Sequence, residues 1–202
     1  CVTATELAAP FSGITTSTGD PAIAGTTPAT VAELKTINAA TSGAVVLNPE
    51  TNAANLNGTA TELAAAFDGI TTSTGELTIT GTDPATVAQL ITINAAPSGD
   101  VVLNAQTCAA HLNGAETDLA AALDRITTST GNLTITGTTP ATIAELMTIN
   151  AATSGTSALN AASIAQTYND TATNLISAFT GIASHMGGLT ISDTGPVSAS
   201  EL

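Results

Sequence analysis

The 202-residue sequence has no tryptophan, one tyrosine and three phenylalanines. A core without large anchors must be built in thin layers of Ala, Leu, Ile and Val, and hydrophobic residues at 43% are enough for that. Basic residues are almost missing: Lys35 and Arg125 stand against 16 acids, for a net charge of −14. Nucleic acids and anionic membrane surfaces need Lys/Arg clusters, so neither is an expected partner. The same imbalance suits salty surroundings, where screening weakens self-repulsion. No run of about 18 apolar residues occurs, so no segment is expected to span a bilayer. Cysteine is limited to Cys1 and Cys108, too few for a disulfide framework.

What is present is a period. Gly69-Ile70-Thr71-Thr72-Ser73-Thr74-Gly75 repeats the GITTSTG that begins at Gly13, returns as RITTSTG at Arg125, and decays to GIASHMGG at Gly181. Each step is 56 residues, the mark of a stacked array in which a unit meets only its neighbours. The expected organisation is one array over residues 1–202. It comprises a partial copy at 1–24, copies at 25–80, 81–136 and 137–192, and a partial copy at 193–202.

Residues 81–136 serve as the type copy. Asp83 and Pro84 are placed to cap and open a helix. Val87, Leu90, Ile91 and Ile93 follow at roughly helical spacing, with the columns through 87 and 90 facing the core and that through 91 (Lys35, Ile91, Met147) half exposed. After Pro97-Ser98-Gly99, Val101-Val102-Leu103-Asn104 reads as a strand, and Ala105 to Leu112 as a short helical stretch stopped by Asn113-Gly114. A second helix over about 115–126 carries Leu119, Leu123 and Ile126, matched by Leu63, Phe67 and Ile70, and Leu133-Thr134-Ile135-Thr136 is a second strand. Each repeat thus predicts two strand–helix coils. The expected fold is an α/β solenoid of 56-residue repeats, with a short-stranded parallel sheet and helices packed on it. Pro21 stands where other copies have Leu77, so the first rung should be irregular. With two coils per repeat, Cys1 and Cys108 lie about four strand spacings apart, on the order of 19 Å, too far to pair within the chain.

Chemistry is sparse. Asn38, Asn94 and Asn150, and Asn48, Asn104 and Asn160, recur as columns that suit turn backbone groups and helix caps. Acids recur at Glu6, Glu62 and Asp118, with Glu33 and Glu145 one helix over, and suit helix N-termini. No dedicated metal site, cofactor or catalytic set is expected. Glu62 and Asp118 are the residues a Ca²⁺ ion would use if one bound. His111 and His185 occupy unequal places in the repeat, and the chain is not expected to be an enzyme.

Segments such as GTATELAAAFDGITTSTGELTITGTDPATVAQL resemble the Thr/Ala-rich tandem repeats of very large secreted or cell-surface bacterial proteins, the cyanobacterial type especially. The resemblance implies an extracellular or cell-surface scaffold, a spacer, adhesin stalk or surface-layer building block. Its partners would be neighbouring repeats of a longer chain or other surface molecules. The alternative is a solenoid that binds ice or carbohydrate through a strand face carrying Thr78, Thr80, Thr134 and Thr136.

Overall fold

Helix starts follow a T-x-x-E/Q rule. A threonine hydroxyl accepts from the backbone N–H three residues on, and the Glu or Gln there reaches back to the threonine N–H. The computed structural model describes residues 2–96 and 98–193, and the chain falls into two units, residues 1–106 and 107–202. In the first, Thr3, Thr30, Thr59 and Thr86 cap α1 (Ala4–Phe11), α2 (Val31–Ala40), α4 (Ala60–Phe67) and α5 (Val87–Ala95) in this way. The expected cap at Asp83 is therefore corrected to Thr86. Asp83 and Pro84 lie in the approach to the helix, where the Asp83 carbonyl accepts from the Asn104 side chain at 3.0 Å. The short α3 (Pro49–Asn52) is capped by Asn48, whose Oδ1 accepts from the Thr51 N–H.

Three strands, β1 (Leu56–Gly58), β2 (Leu77–Ile79) and β3 (Val101–Val102), form a parallel sheet in chain order. Leu56 pairs with Leu77, and Leu77 with Val101. The second unit repeats this with β4 (Leu112–Gly114), α7 (Glu116–Leu123), β5 (Leu133–Ile135), α8 (Ile143–Ala152) and β6 (Ser157–Ala158). Leu112 pairs with Leu133, and Leu133 with Ser157. Then come α9 (Ala161–Ala165), β7 (Tyr168–Asp170), α10 (Ala172–Phe179) and β8 (Leu189–Ile191), with β7 and β8 parallel. The class is mixed α/β with short parallel strands, as expected.

The repeat differs from expectation in its count of strands. The stretch read as one short helix is α6 (Ala105–Cys108), followed by β4, so Asn113-Gly114 ends a strand and not a helix. A 56-residue copy contains three strands, not two. Likewise β3 covers two residues where four were expected. At the N-terminal rung Pro21 lies outside any strand, and only Ala22 bridges to Val46. The Pro21 carbonyl still accepts from Val46 N–H at 2.9 Å, since proline lacks a donor but keeps its acceptor.

The core lies between helices and sheet. Leu63, Phe67 and Ile70 are buried, as are Leu119, Leu123 and Ile126, over the buried strand residues Leu77, Ile79, Leu133 and Ile135. Leu34, Leu90 and Leu146 are fully buried, but Val31, Val87 and Ile143 are only half-buried. The column through 93 (Ile37, Ile93, Ile149) fills that place instead, one turn further along the helix. Cys1 and residues 194–202, most of the final partial copy, lie outside the described residues, so the cysteine separation does too.

Candidate functional site

The acids that recur along the chain mostly hold helix ends. Glu62 Oε2 accepts from the Thr59 N–H at 3.0 Å and the Thr59 hydroxyl at 2.9 Å. These bonds, the backbone one first, hold its pKa below the usual carboxylate value. Glu6 is held down in the same way by Thr3. Glu33 is lowered first by the Thr5 hydroxyl, which donates at 2.5 Å from the neighbouring helix, and then by Thr30. Carboxylates held low in the folded state stabilise it above their unfolded pKa, and that contribution is lost as pH falls through the folded value. Melting temperature should therefore be level from neutral pH to about pH 5 and fall below about pH 4. Replacing Glu6, Glu33 and Glu62 by Gln makes these boxes like the neutral one at Gln89, and should flatten that acid limb in a pH series of thermal melts.

Asp118 occupies the same helical position as Glu62, but its cap residue is Ala115, which offers no side-chain bond. Asp118 is exposed, as is Glu62. The Ca²⁺ fit is poor on chemistry alone: Glu62 already spends one oxygen on its cap, and no group of three or more His, Cys, Asp or Glu side chains gathers among the described residues.

The buried acid is one that sequence columns did not single out. Glu116 takes the place of Ala4, Ala60 and Ala172 and is 5% exposed. The Thr139 hydroxyl donates to its Oε1, while Oε2 has no partner. An orphaned, desolvated carboxylate oxygen costs more than its position at a helix start returns. Glu116→Ala should raise the unfolding free energy by about 1–2 kcal/mol, read from urea titration.

The asparagine columns serve backbone groups, as expected. Asn48 Nδ2 donates to the Gly25 and Thr27 carbonyls, and Asn160 Nδ2 to those of Gly137 and Thr139. Asn38 donates to the Asp68 carbonyl at 2.8 Å, closing the end of α4. A second column escaped the sequence reading: Thr51 and Ser163, fully buried, accept at 2.8 Å from the N–H groups of Ala29 and Ala141. Hydroxyls in a Thr/Ala-rich chain carry no signal of burial, so only their common phase could have marked them.

The outward strand row reads Asn57, Thr78, Val102 in one unit and Asn113, Thr134, Ala158 in the other. Each three-strand row presents one threonine, flanked by an amide and an aliphatic side chain. His111 Nε2 lies 2.8 Å from the Thr134 hydroxyl at this face, and His185 stacks in a cluster with Tyr168 and Phe179. A cavity of about 720 Å³ in the first unit is lined by Phe11, Ile14, Val31, Lys35, Asn57 and Glu62, among others. No family model, no curated protein and no solved structure matches the chain. Among the described residues no helix is long and apolar enough to cross a membrane.

Proposed function

We propose that this chain is a structural tandem-repeat segment of an acidic extracellular or cell-surface protein, acting as a spacer, stalk or surface-layer block. In this reading the 56-residue copies stack as a solenoid and meet neighbouring repeats of a longer chain, and no catalytic role is assigned. One observation carries it. The polar columns that recur at 56 residues are consumed in holding backbone together, the same way in both units. Asn48 with Thr51 and Asn160 with Ser163 make the same bonds to the same loop positions. Side chains spent on caps and turns are not free to recognise a ligand. Packing supports the stack within each unit: α1 meets α2, α2 meets α4 and α4 meets α5, while α8 lies between α7 and α10. The net charge of −14 suits a surface exposed to salt, and the likeness to surface-protein repeats points the same way. Antibody raised against the folded chain should label intact source cells and lose its signal after surface proteolysis. Labelling seen only in permeabilised cells would overturn the proposal.

A further inference from the structure

The first helix–turn of the chain is built like the later ones but is not covered like them. Ile70 and Ile126 are each 2% exposed, whereas Ile14, at the same repeat position, is 40% exposed. Leu7 and Phe11 are half-buried where Leu63 and Phe67 are fully so. The second unit contains the pairing that closes this place. There Ser157, in the third strand of its copy, bridges in parallel to Ile182. Its N–H donates to the Gly181 carbonyl at 3.1 Å, and the Ala183 N–H donates to its carbonyl at 3.4 Å. Gly181-Ile182-Ala183 matches Gly13-Ile14-Thr15 in the repeat, and in the first unit that stretch stands exposed on the wall of the 720 Å³ cavity.

We propose that Gly13-Ile14-Thr15 is a docking edge for the third strand of another 56-residue copy, a segment of the type Asp100-Val101-Val102 or Thr156-Ser157-Ala158. This rests on the tandem-repeat reading above and names the contact through which a further repeat joins. The Gly13 carbonyl accepts from the incoming strand, the Thr15 N–H donates to it, and its inward side chain covers Ile14 and Phe11. The occupant is a repeat and not a small ligand, because the same backbone pattern is already filled by repeat backbone at Ile182. Charge agrees: Lys35, one of only two basic residues, lines the cavity, and a repeat of this kind is acidic.

Residues 113–168 fused directly ahead of residue 1 keep the 56-residue phase, and hydrogen exchange at Thr15 reads the docking. The Thr15 amide should exchange on the order of 100-fold more slowly in the fused chain than in the chain alone. Ile14→Asp in the fused chain should abolish that protection while the amides of α4 and α5 keep theirs. A fused copy that folds and leaves Thr15 unprotected overturns the proposal, as does one that stays unfolded beside the intact chain. Thr15 protection that rises with concentration in the unfused chain would give the edge to a second molecule and also overturn it. Failure of surface labelling would strike the proposed location and leave this docking untouched.

Discussion

Phe67→Ala should lower the unfolding free energy by about 3–5 kcal/mol. Phe67 is 1% exposed, on the face of α4 that also buries Leu63 and Ala66, and it is one of only three phenylalanines in a core made otherwise of small aliphatics. Truncation leaves a hole that Ala and Val neighbours are too small to fill, and a close-packed interior relaxes only in part. Phe11→Ala supplies the control. Its side chain is only half-buried at the exposed first turn, so the same truncation should cost less than half as much. Chemical denaturation of both variants gives the comparison directly. Equal losses would mean that burial within the repeat does not set the energetics.

Gly131→Val should cost about 3 kcal/mol or more, a backbone effect with no side chain removed. A Cβ on Gly131 would overlap the Ala110 carbonyl oxygen, and Gly75 and Gly187 meet the same obstacle at Ala54 and Gln166. One step along the stack, a Cβ on Gly155 would lie 2.5 Å from the Gly131 oxygen. The approach is this close because the Thr130 and Gly131 N–H groups both donate to the Cys108 carbonyl, at 2.7 and 3.0 Å. A backbone carbonyl cannot turn aside as a flexible side chain does. Gly19, at the matching place in the first copy, has open space around it, and Gly19→Val should be tolerated to within about 0.5 kcal/mol. Paired thermal melts separate the two sites.

Much of this was legible in the sequence and some was not, for physical reasons. Leu63, Phe67 and Ile70 announce their helix because their spacing of four and three residues puts three large apolar side chains on one face, and all are buried. Leu77 and Ile79 announce β2 by alternation. The strands at Leu56–Gly58 and Leu112–Gly114 have one apolar residue each, then Asn-Gly, which locally favours a stop over a strand. What holds them is pairing with β2 and β5, a tertiary effect that no three-residue window contains. The cap at Thr86 was present as Thr-x-x-Gln, but Asp83-Pro84 offered an equally good local start three residues earlier. For the acids, their recurrence was visible while their roles depended on one neighbour. Thr59 engages Glu62, Ala115 leaves Asp118 without that partner, and Glu116 is carried into the interior.

The central claim is that the 56-residue copy is the unit of construction, so one whole copy can be removed without damage to the rest. Deleting residues 81–136 joins Thr80 to Gly137 in phase, leaving every cap, asparagine and glycine column with its usual neighbour in the next copy. Far-UV circular dichroism of that shortened chain, followed through thermal unfolding, is the direct measurement. The account predicts an unchanged ellipticity per residue and a single cooperative melt. A disordered or aggregated product, from a deletion that respects the period, would contradict it.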